Sequence, residues 1–185
     1  MKLILKNVRL SFPDLFTAVQ YEGTGPFSYR CSLLVPANSK QKKEIDAAIL
    51  AVAKEAFQDK AESVISKARA GKTGVCFNDG NAREYDGYAD HWYLTATKAQ
   101  DKGRPDIRDR DGKTPLTAED GRPYAGCFCN AIVDLWAQNN KFGQTVRCTL
   151  VGIQFAKDGE AFSGGAVIAD GDFEDLGDDA DTNII

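Results

Sequence analysis

Residues 124–157, YAGCFCNAIVDLWAQNNKFGQTVRCTLVGIQFAK, hold two long β-type runs joined by a short polar link that contains a glycine. That is the pattern of an antiparallel hairpin. Period-two alternation places Cys127, Cys129, Ala131, Val133 and Leu135 on one face of the first run. Phe128, Asn130, Ile132, Asp134 and Trp136 fall on the other. In the second run Val146, Cys148 and Leu150 oppose Arg147, Thr149, Val151 and Ile153. One face is small and apolar throughout, as a core face should be. The other mixes aromatic, amide and cationic groups, which suits a binding face better than a plain solvated one.

Upstream, residues 2–12 (KLILKNVRLSF) predict a first strand with Ile4, Val8, Leu10 and Phe12 apolar, ended by Pro13. Residues 13–26, with Gly23, Gly25 and Pro26, read as a loop. A second strand is expected over 27–35, closed by Pro36, with Phe27 and Tyr29 on the core face beside Cys31 and Leu33. The clearest helical pattern follows. Asn38 with Gln41 resembles a capping box, and Ile45, Ala48, Ile49, Val52, Ala53, Ala56 and Phe57 recur at helical spacing. A weaker helix is expected over 59–70. Residues 72–90 read as irregular, and 91–98 resume β character, with Trp92, Leu94 and Ala96 opposite His91, Tyr93, Thr95 and Thr97. Residues 99–123 are charged and turn-rich, with a brief strand near 106–110. No βαβ repeat occurs. The order predicts an α+β, mainly β fold: an OB-fold-like, five-stranded antiparallel barrel with a helical insertion over 38–70. Residues 1–165 are assigned to that domain and 166–185 to a tail.

The chain of 185 residues, 43% hydrophobic, suits one such domain. No apolar run approaches the length of a membrane span, and no signal-peptide core opens the sequence, so an intracellular protein without membrane contact is expected. Five cysteines without a CxxC pair, and a single histidine (His91), lack the spacing of a zinc site. They read as reduced core thiols, and no metal or cofactor is expected.

Charge is unevenly spread. Residues 170–185, DGDFEDLGDDADTNII, carry seven acids and no lysine or arginine. The preceding 169 residues hold 20 acids against 23 bases, a net charge of +3. Such an acidic peptide cannot bury enough apolar surface to fold alone and is expected to be disordered. Solubility alone would not ask for its apolar tip, Ile184 and Ile185, behind Asp175, Asp178, Asp179 and Asp181. Tethered to a basic body at an effective concentration of about millimolar, the tail would compete with any anionic ligand.

A single nucleic-acid strand fits that ligand, since it needs cations for phosphates and rings on which bases stack. The materials are interleaved: Arg30, Tyr85, Tyr88, Tyr93, Lys98, Arg104, Arg108, Arg110, Arg122, Tyr124, Trp136, Lys141, Phe142 and Arg147. Trp92 shares a face with Leu94 and reads as core, and the arginines of 104–110 sit among acids that would pair with them. Tyr93, Trp136 and Phe142 keep the strongest claim, on polar faces or a hairpin tip.

Catalytic patterns are weaker. Gly71-Lys72-Thr73 and Gly112-Lys113-Thr114 imitate the end of a phosphate loop but lack its earlier glycine. Pro105-Asp106 with Asp111-Gly112-Lys113 echoes a magnesium nuclease, yet four intervening residues leave little room for the second strand that chemistry requires.

The ordered set of Gly103-Arg104-Pro105-Asp106, Tyr124-Ala125-Gly126-Cys127 and VGIQFAKDG over 151–159, around a helical insertion, resembles a phage-encoded family of single-stranded-DNA-binding proteins. The resemblance runs from about Leu3 to Gly165. It implies an OB-fold and binding of single-stranded DNA during phage replication or recombination, in the bacterial host cytoplasm. The tail is similar to those of bacterial and phage single-strand binders, where it recruits replication partners and competes with DNA. It departs from them by ending in isoleucines rather than an aromatic residue. The resulting expectation is a non-enzymatic, sequence-tolerant binder of single-stranded DNA. The rivals are a recombination-mediator or protein-interaction module acting through its tail, and a magnesium-dependent nuclease using Asp106, Asp111 and Lys113.

Overall fold

The computed structural model describes residues 1–163, so the expectations for the acidic tail lie outside the described residues. The elements are β1 (Lys2–Tyr21), β2 (Thr24–Pro36), α1 (Lys40–Phe57), α2 (Ala61–Ala70), β3 (Phe77–Asp79), β4 (His91–Ala99), β5 (Asp106–Arg108), β6 (Phe128–Asn140) and β7 (Gly143–Lys157). Five of them close into a barrel. β1 pairs with β2 and β6, β2 with β4, and β6 with β7, all antiparallel. The ring is closed by a parallel contact between β4 and β7 at Thr97 and Thr149. This is the OB arrangement, with α1 and α2 inserted between β2 and β4. β3 pairs with β4, and β5 with β7, as short additions.

The hairpin of β6 and β7 behaves as its alternation predicts, with Cys129, Ala131, Val133, Leu135, Val146, Cys148 and Leu150 all buried. One break alters the outcome. Ile132 pairs with Gly152 but Val133 with Leu150, so Val151 is an extra residue on β7. That bulge reverses the parity beyond it. Ile153, expected on the polar face, is therefore core, together with Phe155.

β1 departs further from expectation. It does not end at Pro13 but continues to Tyr21. Its register with β2 shifts between Ser11 and Asp14, so Pro13, which has no N–H, sits where the ladder is already interrupted. A second shift lies between Leu5 and Val8 against β6, with Asn7 in the left-handed region at φ 52°. The two irregularities place Leu5, Val8 and Leu10 in the core and leave Ile4 and Phe12 outside. Phe27, also expected in the core, is exposed near the start of β2.

The helix cap is Ser39, whose hydroxyl accepts from the Lys42 N–H at 3.2 Å, one residue later than expected. Gln41 serves elsewhere: its amide bonds the Lys6 N–H at 2.8 Å and the Lys6 carbonyl at 2.9 Å, replacing strand partners where β1 bulges. Ile45, Ile49, Val52, Ala53 and Phe57 turn inward onto the barrel, as their spacing requires. All five cysteines are buried and free. Burial pushes the Cys31 and Cys76 thiols up to about 12, so they stay protonated and inert at neutral pH.

Leu94 faces Leu33 across β4 and β2, and both are fully buried. Leu94→Ala is expected to destabilise the barrel by about 2–5 kcal/mol, read from urea unfolding. A loss below about 1 kcal/mol would contradict a closed, packed interior at that seam.

Candidate nucleic-acid interface

On the outer face of β1, β2 and β4, the segment after β3 folds back across the sheet and brings aromatic rings together. Phe12 meets Tyr85 edge-on, with ring centroids 5.0 Å apart and planes at 77°. Tyr88 lies 5.3 Å from Tyr85, 6.4 Å from Phe12 and 5.3 Å from Tyr93. Phe12 and Tyr85 are 48% and 50% exposed, whereas Tyr88 is only 2% exposed. Tyr88 is thus the pillar under the cluster rather than a surface of it. These rings, with Tyr21, Arg30 and Arg83, line a cleft of about 310 Å³.

Local backbone sets this display. Phe12 has φ 47°, in the left-handed region that a bulky L-residue rarely adopts. The bulge at Ser11–Asp14 holds it there and turns the ring outward. Tyr93 reaches the cleft through plain alternation on β4, opposite in parity to buried Leu94. The Arg83 Nε donates to the Tyr93 hydroxyl at 3.3 Å, an interaction that raises the arginine pKa further and keeps it cationic. Arg30 donates to Asp14 at 2.9 Å, with its guanidinium 5.9 Å from the Tyr21 ring. Polar donors, cations and half-exposed rings share one concavity, which can hold stacked bases beside phosphates.

The structure brings Arg30, Tyr85, Tyr88 and Tyr93 into this cleft and leaves the other expected residues elsewhere. Lys98 ends β4, with Nζ donating to the Arg104 carbonyl at 3.2 Å, and the Arg104 guanidinium lies 5.7 Å from the Phe16 ring. Arg108 is tied to Asp106 at 2.7 Å and Arg122 to Asp109 at 2.6 Å. The Tyr124 hydroxyl donates to Asp158 at 2.7 Å, and Arg110 stands exposed in the same loop region. Trp136 (43% exposed) and Phe142 (71% exposed) belong to the β6–β7 hairpin, where the Trp136 indole donates to Thr149 at 3.1 Å. Lys141 lies 5.1 Å from the Phe142 ring, and Arg147 is pinned to Gln138 and the Thr73 carbonyl. Phe12 and Tyr21 are cleft residues that the sequence alone did not single out. Phe12 continues an apolar alternation, and only its position before Pro13 marks it as irregular.

The nuclease pattern has its carboxylates otherwise engaged. Asp106 accepts from Arg108. Asp111 accepts from the Thr114 hydroxyl at 2.6 Å and from the Lys113 and Thr114 N–H groups at 2.8 Å each. Those donors, the Thr114 hydroxyl first, push its carboxyl down to about 2. Among the described residues no cluster of three or more metal-ligating side chains forms.

An OB barrel bearing an aromatic, cationic cleft on its β1–β2–β4 face has the make-up of a nucleic-acid-binding OB protein of the single-strand type. Its relatives narrow that class. The chain belongs to the family described as Enterobacter phage Enc34, ssDNA-binding protein, which it matches over residues 1–184. It is 42% identical over 178 residues to protein p50 of Acyrthosiphon pisum secondary endosymbiont phage 1, covering 95% of this chain and 94% of the relative. Its fold is similar to that of the single-stranded DNA-binding protein from bacteriophage Enc34 in complex with ssDNA. That likeness has TM-score 0.69 and 23% identity over 86% of this chain and 88% of the other. It is also similar to gp2.5, a single-stranded DNA-binding protein encoded by bacteriophage T7, with TM-score 0.56 and 13% identity over 91% and 99% of the two chains.

A carboxyl lowered in the folded chain stabilises its turn above its ordinary value of 3.8, and that stabilisation is lost as pH falls from there through about 2. Thr114→Val is expected to move the Asp111 titration back toward the ordinary carboxylate range, followed by NMR. An unchanged titration would show that the hydroxyl does not hold the carboxylate.

Proposed function

We propose that the chain binds single-stranded DNA without sequence preference, along the face formed by β1, β2 and β4. The observation that carries this reading is the pair of half-exposed rings, Phe12 and Tyr85, held over the buried Tyr88. Phe12, Tyr85 and Tyr93 supply stacking surface. Arg30 and Arg83 meet phosphates from the cleft walls. Lys98 and Arg104, at the end of β4, extend the cationic path. Trp136, Lys141, Phe142 and Arg147 form a separate contact on the hairpin. Arg108, Arg122 and Tyr124 are tied to neighbouring carboxylates and shape the 106–124 region, with exposed Arg110 free to touch the strand.

Residues 1–165 act as the binding domain and 166–185 as a partner-recruiting tail. The first acid of 170–185 lies seven residues beyond Ser163, whose N–H and hydroxyl both donate to Asp86 at 3.0 Å, next to Tyr85. The last described residue thus sits beside the cleft, and the acidic stretch that follows it in sequence competes with DNA and offers Asp175, Asp178, Asp179, Asp181, Ile184 and Ile185 to replication or recombination proteins. The protein works without catalysis and without a cofactor, in the cytoplasm of a bacterial host. Engagement of Asp106 and Asp111 by their own loop supports that reading, and among the described residues no helix is long and apolar enough to cross a membrane.

Labelled oligothymidylate is expected to bind, measured by fluorescence anisotropy, with affinity that falls as salt rises. Equal affinity for duplex DNA would contradict the assignment. Phe12→Ala and Tyr85→Ala should each weaken binding by about tenfold, in keeping with the ~1–3 kcal/mol of a stacked base. Deleting 170–185 should raise DNA affinity at low salt and leave the melting temperature unchanged; an unaltered affinity would remove the competitor role.

A further inference from the structure

Beyond β7 the chain does not leave the barrel at once. Residues 159–163 run back across β1 and end on the segment that carries Tyr85 and Tyr88. Arg9 fixes the start of this strap, donating from Nε to the Gly126 carbonyl at 3.0 Å and from its terminal nitrogen to the Glu160 carbonyl at 2.7 Å. The strap needs Gly126 bare: at φ 100°, a Cβ there would lie 2.1 Å from the Glu160 oxygen. Phe162 then anchors its N–H on the Ala125 carbonyl at 3.0 Å and takes the Arg9 guanidinium 4.4 Å from its ring.

The far side of that ring meets Gly87. A Cβ on Gly87, at φ 78°, would fall 2.4 Å from Phe162 Cζ and 3.3 Å from the methyl of Leu34 below. The ring is thus wedged against glycine backbone over the outer face of β2. Ser163, one residue on, gives both its N–H and its hydroxyl to Asp86. Asp86 and Gly87 are the two residues between Tyr85 and Tyr88. The stacking segment is therefore gripped from outside the sheet, between its two tyrosines, by residues more than 70 positions away.

We infer that Phe162 and Ser163 are positioning residues for DNA binding: they hold the 85–88 segment so that Tyr85 stands against Phe12 as a stacking surface. This rests on the reading that the cleft binds single-stranded DNA. Neither residue touches the strand. Their effect is to spare the DNA the cost of ordering the segment on binding. Loss of the grip should remove base stacking and leave phosphate contacts in place.

The test uses the full chain and labelled oligothymidylate, titrated by anisotropy at several salt concentrations, with quenching of tyrosine fluorescence as a second readout. Phe162→Ala is expected to weaken binding about tenfold, the loss of one stacked base, with a reduced tyrosine quench. The slope of log affinity against log salt should stay unchanged, because that slope counts neutralised phosphates. Phe162→Leu, which keeps an apolar side chain against Gly87, should recover most of the affinity. Ser163→Ala alters an exposed hydroxyl and leaves the barrel folded even if Phe162→Ala does not. It should weaken binding by about threefold, as loss of one hydrogen bond would. Unaltered affinity in Ser163→Ala together with a folded Phe162→Ala, or a loss accompanied by a shallower salt slope, overturns the strap. Failure of the unsubstituted chain to bind oligothymidylate would overturn the DNA reading itself, and the two failures are thereby distinct.

Discussion

The bend in β1 is the constraint on which the rest depends. One strand serves two neighbours, pairing with β6 through Lys2–Arg9 and with β2 through Arg9–Tyr21. A five-stranded barrel has too small a circumference for a regular strand to do both without coiling sharply. The interrupted registers at Leu5–Val8 and Ser11–Asp14 supply that coil. The second one also decides what the outer face displays. An aromatic residue in the left-handed region costs about 1–2 kcal/mol, so Phe12 stays there only because ladders on both sides over-determine it. Barrel closure and the ring offered to a ligand are one event.

The cleft that follows leans more on rings than on charge. Arg30 is partly neutralised by Asp14, and Arg83 gives its Nε–H to the Tyr93 hydroxyl. On the proposed reading such a site gains its hold from flat apolar faces, which every base can match. On that reading, tolerance of sequence would follow from the rings that line the cleft. Tyr88 serves the same end: buried beneath Phe12 and Tyr85, with its ring 6.4 Å and 5.3 Å from theirs, it supports both in edge-on contact.

Much of this was legible in the chain. The β6–β7 alternation and the helical insertion both follow from periodicity, because each has one apolar face and a local reason to keep it inward. What escaped is what bulges do. A single extra residue reverses parity, and nothing local announces Val151 or the Ser11–Asp14 shift. Hence Ile153 was expected outside and lies inside, while Phe12 was expected inside and lies outside. β3 was invisible for another reason: three residues, Phe77–Asp79, are too few for alternation to register. The cap at Ser39 rather than Asn38 turns on Gln41 being drawn to Lys6, a contact made across 35 positions.

Adjacent Trp92 and Tyr93 show why residue type alone could not pick the site. Both are aromatic and both sit on β4. Trp92 points toward the insertion, 5.2 Å from Phe77, with Lys42 of α1 at 4.2 Å and Arg69 of α2 at 5.4 Å from its ring. It fastens the helices to the barrel, and its two cations are occupied there with Asp46. Tyr93, one residue on and on the opposite face, joins the cleft beside Tyr88. The strand's two-residue period sorts them, and the insertion covers one face while leaving the other to the segment gripped by Phe162. Had α1 and α2 packed across the Tyr93 face, the same composition would have left no ring for a base to meet. The position of the helical insertion is therefore as much a part of the proposed binding surface as the aromatic residues themselves.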